Sequence, residues 1–339
     1  MACVRRLFPG SNTANGFVGF FQNLRLQADR TVILKGGPGV GKSTLMRDVG
    51  RHYERLGMEV DYYFCSGDPD SLDAVFVPGR GFLVMDGTAP HIVDPALPGA
   101  GDGILNLGVC LEEKQLSSQK EEIAALTGEI SLCYAQAYRY LRAALSVRED
   151  AGAAYETALS EKERRLLRQE MKALIPCGAP GTDSHAFLQA ITWKGVSQYT
   201  DALENERVVC LEAPWGFDAD ALLRPVWEEA GQRGLKRSAY HDPLDAGKLS
   251  HVSAGCGTFT SAVLLDARVL SVSLDAGALR RHSARLAFDR AACELLKTQA
   301  VEALSQAKEK HDALERYYID AMDYARLEEI RRGFLKALP

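Results

Sequence analysis

Apolar and polar positions change period several times along this chain, and each change predicts an element. Thr31-Val32-Ile33-Leu34-Lys35 is a short run of aliphatic and β-branched residues, which predicts a buried strand. After a glycine-rich turn, Leu45, Met46, Val49 and Tyr53 recur at helical spacing, predicting a helix that starts near Lys42. Leu56-Gly57 carries its stop signal. A second strand is predicted from Val60 to Cys65, turn residues fill Ser66 to Ser71, and a third strand is predicted at Phe82-Leu83-Val84-Met85. Strand, helix, strand, strand in this order reads as an α/β fold with a parallel sheet.

From about Leu111 to Ile175 the residues Glu, Lys, Ala, Leu and Arg dominate, interrupted by Gly128 and Gly152. This predicts long helices forming an antiparallel hairpin broken near Gly152. Pro176-Cys-Gly-Ala-Pro-Gly181 ends the stretch as a linker, and a second helical stretch runs from about Ala278 to Leu338. An internal repeat accounts for this layout. Leu7-Phe8, Thr13 and Gly16-Phe17 recur as Ala186-Phe187, Thr192 and Gly195-Val196. Val32-Ile33-Leu34 recurs as Val209-Cys210-Leu211, the stop at Leu56-Gly57 as Arg233-Gly234, and Asp68-Pro69 as Asp242-Pro243.

Composition narrows the class. A chain of 339 residues suggests about two domains, and 46% apolar with 25% charged residues is ordinary for a globular protein. Forty Lys+Arg against 45 Asp+Glu give a net charge of −5, which argues against a large nucleic-acid surface. There is no run of 18 apolar residues, and Met1 to Phe8 lacks the apolar core of a signal peptide. The eight cysteines are scattered singly with no CxxC pair, so reduced thiols in a cytoplasmic protein are expected.

The candidate chemistry lies in Gly36-Gly37-Pro38-Gly39-Val40-Gly41-Lys42-Ser43, which fits GxxxxGK[ST] and is followed by Thr44. A strand before and a helix after are the context this phosphate-binding loop requires. Glycines let backbone N–H groups wrap a phosphate, and the helix N-terminus adds partial positive charge. On this reading Lys42 reaches the β/γ-phosphates of ATP, Ser43 offers its hydroxyl to Mg²⁺, and Thr44 bonds the α-phosphate. Asp86 ends the apolar third strand in the Walker B position and is the second metal candidate. The next residue is Gly87, where many ATPases place a catalytic Glu. Asp68, His91 and Asp94 in the following loops are therefore the candidates to position water or an acceptor; local turn capping is the competing role. Asp70 reads as a cap.

The corresponding stretch of the second half is Ala213-Pro-Trp-Gly-Phe-Asp-Ala-Asp220. Lys42 maps to Ala219, Ser43 to Asp220, Gly41 to Asp218, and Trp215 and Phe217 fill the cradle. Two carboxylates beside a triphosphate repel it, so this half reads as a pseudo-site. Pro225 should kink or restart the following helix. Arg139, Arg142, Arg164, Arg165 and Arg168 in the first arm read mainly as solvated helix charges. The arms read as hairpins packed on each other or on the cores, with a partner-binding arm as the alternative. The chain thus divides into a P-loop core over 1–110, an arm over 111–175, a degenerate core over 182–275 and a C-terminal arm over 276–339.

At Lys35 to Thr44, Cys65-Ser-Gly-Asp-Pro-Asp-Ser-Leu-Asp73 and Asp86-Gly-Thr-Ala-Pro-His-Ile-Val-Asp-Pro95, the chain resembles a family of uncharacterised bacterial ATPases with two tandem P-loop-type halves. The resemblance implies cytoplasmic ATP binding. Gly67 stands where the family pattern has a second serine, and the second half departs further from that pattern. The expected fold is α/β, with duplicated P-loop NTPase-type parallel-sheet domains, each followed by a long helical arm. Three activities fit: a slow ATPase whose nucleotide state moves the arms, a small-molecule or nucleotide kinase, and a non-enzymatic ATP-dependent interaction module. ATP is preferred to GTP because no NKxD sequence occurs. The protein or small-molecule partner is left open, and no membrane partner is expected.

Overall fold

The computed structural model describes residues 3–89, 91–203, 207–261 and 267–339. Pro90 of the Asp86–Pro95 motif lies outside them. The first half contains β1 (Val4–Leu7), the hairpin β2 (Gly10–Thr13) and β3 (Gly16–Gly19), α1 (Phe21–Leu26), β4 (Arg30–Lys35), α2 (Lys42–Arg55), β5 (Val60–Phe64), β6 (Leu72–Val77), β7 (Phe82–Asp86) and β8 (Asp102–Asn106). Its six-stranded sheet runs in the order β1-β5-β6-β7-β4-β8. Alternation along β4 sends Val32 and Leu34 to the face covered by Leu45, Met46, Val49 and Tyr53 of α2. Ile33 joins Phe21 and Leu24 of α1 on the other face. A strand buried on both faces reads as a continuous apolar run, which is why it was legible.

The sheet is mostly parallel, as expected, but not wholly so. β6 is antiparallel to both β5 and β7, whereas β1–β5, β4–β7 and β4–β8 are parallel. The expectation passed over β6. Only Pro78 to Gly81 separate β6 from β7, too few residues for a parallel crossover.

Three helices follow, α3 (Glu113–Ser118), α4 (Lys120–Ala158) and α5 (Glu161–Ala173). The second half repeats the first: β9 (Asp183–Ala186), the hairpin β10 (Gln189–Thr192) and β11 (Gly195–Gln198), β12 (Arg207–Glu212), α6 (Asp220–Gln232), β13 (Arg237–His241), β14 (Leu249–Ala254), β15 (Gly257–Thr260) and β16 (Arg268–Ser271). Its order, β9-β13-β14-β15-β12-β16, and its strand directions match the first sheet pair for pair. Even the register irregularity recurs, at Tyr63/Phe64 and at Tyr240/His241. One repeat equivalence is corrected. Cys65 N–H bonds Ser71 O as Asp242 N–H bonds Lys248 O, and Ser71 N–H bonds Asp68 O as Lys248 N–H bonds Asp245 O. Asp68 therefore corresponds to Asp245, and Asp242 to Cys65.

The chain ends in α7 (Ala276–Asp320) and α8 (Tyr324–Lys336). The expected sequential hairpin over 111–175 does not form. α4 runs unbroken through Gly152 and stops at Leu159, before the Ser160 cap whose hydroxyl accepts from Glu163 N–H. Its antiparallel partner is α7, with Lys310 paired to Glu129 and Arg285 to Asp150. The two helices are about 58 and 67 Å long at 1.5 Å per residue, enough to bridge both halves. Each short terminal helix then packs on the opposite half. Leu167 and Met171 of α5 enter the second core, and Leu327, Ile330 and Phe334 of α8 pack on the first. α6 continues through Pro225 without a break. The proline has no N–H for the carbonyl of Ala221, and Arg168 Nε donates to that oxygen at 3.1 Å instead. No helix among the described residues is long and apolar enough to cross a membrane, and the cysteines form no disulfide among the described residues.

Candidate functional site

β4 and α2 hold the glycine loop between them. Gly36, Gly39 and Gly41 have φ of 146°, 70° and 84°, values that L side chains rarely adopt, and Gly41 is the N-cap of α2. A helix leaves its leading N–H groups without internal acceptors, and α2 has no side-chain cap to take them. Lys42 Nζ donates to Gly36 O at 3.1 Å and Gly37 O at 2.7 Å, and lies 3.6 Å from Asp86 Oδ2. Ser43 Oγ accepts from Leu72 N–H at 2.9 Å, tying the helix start to β6. Thr44 is exposed at the loop's rim.

Asp86 divides its two oxygens. Oδ1 accepts from Thr88 N–H at 2.9 Å and Thr88 Oγ1 at 2.7 Å, which is the turn-capping role; Oδ2 faces Lys42. The other candidates separate. Asp68 accepts from Asp70 N–H at 3.3 Å and Ser71 Oγ at 2.9 Å, and Lys308 of α7 stands 3.9 Å away. Asp94 is 74% exposed and paired with Lys35 at 2.9 Å. Asp70 is paired with Lys194 of the opposite half's hairpin. His91 stacks on Phe21 at 4.3 Å, and its Nε2 lies 3.8 Å from Asp73 Oδ1.

Asp73 is the residue that sequence reasoning missed. Pairing of Ala74 with Met85 places it opposite Asp86 in the β6–β7 ladder. It is 4% exposed, and its Oδ2 has no hydrogen-bond partner among the described residues. Burial, with Asp86 adding to it, pushes its carboxyl up to about 6 against the pull of His91 and Lys42. Burial and Asp73 likewise raise the Cys65 thiol well above its ordinary value. The signal available in the sequence was a lone acid inside an apolar run, Leu72-Asp-Ala-Val-Phe-Val77.

α7 covers the loop from above. A Cβ on Gly37 would strike the ring of Tyr318, and one on Gly39 would lie 2.7 Å from Glu315 Cγ. The corresponding stretch of the second half is covered in the same way by α4, with Ala151 Cβ 3.1 Å from the position a Cβ on Gly216 would take. There the acids are neutralised internally. Asp218 pairs with Lys248 at 2.8 Å and Asp220 with Arg224 at 2.7 Å. Asp220 Oδ1 also accepts from Leu249 N–H at 2.8 Å, the bond that Ser43 makes with Leu72. No family model, curated protein or solved structure matches this chain.

The first-half site can therefore receive a polyanion: it offers uncapped helix N–H groups, a lysine and glycines at conformations only glycine takes readily. The paired carboxylates Asp73 and Asp86 beside it suit a hydrated cation or a proton acceptor.

Proposed function

We propose that the first half binds ATP with Mg²⁺ in the Gly36–Thr44 loop and hydrolyses it slowly, and that the second half is a pseudo-site on the same duplicated P-loop-type frame. The observation that carries this reading is Lys42, whose ammonium sits between the loop carbonyls and Asp86 at the mouth of a strand–loop–helix turn. Ser43 and Asp86 are the residues to hold Mg²⁺. The chain fits that ion because a buried, unpartnered carboxylate oxygen of Asp73 lies beside Asp86. When bound, the ion neutralises charge on the phosphate oxygens. Lys42 leaves its loop carbonyls for the phosphates, and Asp73, whose carboxyl burial raises to about 6 so that it is ionised at pH 7, takes the proton of the attacking water as hydroxide forms its bond to the γ-phosphorus and ADP leaves. His91, stacked on Phe21, stands 3.8 Å from Asp73 Oδ1 and pulls that carboxyl towards its ionised form.

Tyr318 and Glu315 of α7 lie where the phosphates enter, so this reading couples nucleotide binding to the arm. That favours a switched ATPase over a kinase. The test is product analysis of full-length protein with ATP and Mg²⁺. Free phosphate, lost in Lys42→Ala, is expected. A phosphorylated small molecule from a metabolite mixture, with no free phosphate, would replace the reading with the kinase.

A further inference from the structure

A cavity of about 410 Å³ opens beside the glycine loop, within the roughly 300–1,000 Å³ range of small-molecule sites. One wall is Gly39, Gly41, Thr44 and Leu107, the last in the turn that follows β8. The facing wall belongs to α8 and carries Tyr324, Leu327 and Arg331. We propose that this cavity holds the base of the bound nucleotide, so that the helix ending one half's arm completes the nucleotide site of the other half. The inference rests on the triphosphate reading of the loop. Thr44 and Gly41 mark the end of the loop where the α-phosphate and ribose would leave it, and the cavity begins there. A polyphosphate tail seated on the loop therefore directs its base against α8.

The wall chemistry suits a flat aromatic ring with polar edges. Tyr324 is 56% exposed, and its phenol donates to Ile319 O at 3.3 Å, which leaves the ring standing at the cavity mouth. Leu107 is buried and Leu327 half-buried beside it. Arg331 is fixed by Asp48 at 2.7 Å and Glu328 at 2.7 Å, and Glu328 also lines the cavity. A carboxylate accepts from the exocyclic amine of a purine, and the ring gains stacking on Tyr324. The predicted ligand is a purine nucleotide with an amino group, of which ATP is one.

Calorimetry with two probes, ATP and inorganic tripolyphosphate, each with Mg²⁺, tests this on the full chain. Tyr324→Ala should weaken ATP about tenfold, the scale of one base–aromatic stack, and leave tripolyphosphate unchanged. Tyr324→Phe should restore ATP affinity. Because the ring is exposed, truncation leaves the core intact. Equal effects on both probes, or no effect on either, would overturn the base site while leaving the phosphate site standing. Wild-type protein that binds neither probe would overturn both readings.

Discussion

Phe8 and Phe187 exchange both backbone hydrogen bonds, Phe8 N–H to Phe187 O and Phe187 N–H to Phe8 O, each at 2.9 Å. They are equivalent residues of the two halves, so a local two-fold axis passes between them. The arrangement is that of an isologous dimer interface formed within one chain. Both rings are fully buried, with Ala190 in the same cluster.

That seam sets the first prediction. Phe8→Ala and Phe187→Ala should each lower unfolding stability by about 3–5 kcal/mol, the usual cost of emptying a buried phenylalanine site. The double variant should lose less than the sum, because the two cavities merge. Urea unfolding of the four proteins checks this, and strict additivity would mean that the two sites do not couple.

Much of this architecture was legible in the sequence. The strand at Thr31 to Lys35, the helix from Lys42 and the repeat of the Phe8 and Phe187 segments all follow from local periodicity. β6 was not legible, because Asp73 interrupts its apolar run and Ser66 to Ser71 before it read as a longer turn. The crossing of the arms was not legible either. Leu327, Ile330 and Phe334 mark an apolar helix face, but a face does not state which core it will meet. Asp73 looked like one more loop acid until strand register set it opposite Asp86.

Asp73→Asn separates chemistry from binding. A side chain that accepts a proton in the rate-limiting step contributes roughly 100-fold or more, so phosphate release should fall by at least about that factor. ATP affinity should fall far less than the rate, and thermal stability should hold or rise, because a buried carboxylate without a full set of partners is removed. Undiminished phosphate release in this variant would return the proton-acceptor role to another group.

Glu315 places a carboxylate over the glycine loop, which on the proposed reading receives phosphates. Glu315→Gln should therefore tighten ATP about fivefold, equal to ~1 kcal/mol, the water-screened value for two charges about 4 Å apart. The gain should shrink at high salt. Calorimetry at two ionic strengths reads both effects; weaker binding in the variant would show that Glu315 assists the nucleotide.

Two histidines of the second half make stability depend on pH. Burial lowers His241 to about 4, with the neighbouring His185 and Arg224 adding to it, and burial lowers His251 to about 4. Both are native as the neutral imidazole, and an unfolded histidine titrates near 6.5. Between those values the unfolded chain binds more protons, so the native state is fully favoured above about 6.5 and loses stability as pH falls towards 4. The loss is on the order of 3 kcal/mol per histidine. Unfolding midpoints at pH 7 and pH 4.5 should differ less in His251→Leu than in wild type; an identical difference would remove His251 from the account.

The central claim is a single triphosphate site, on Gly36 to Thr44, in a chain that carries the same frame twice. Titration of the full-length protein with ATP and Mg²⁺ tests it most directly. The account predicts one nucleotide per chain, with binding abolished in Lys42→Ala while that variant melts at the wild-type temperature, since the contacts Lys42 makes are with its own loop and Asp86. Two nucleotides per chain, or full binding by Lys42→Ala, would contradict it.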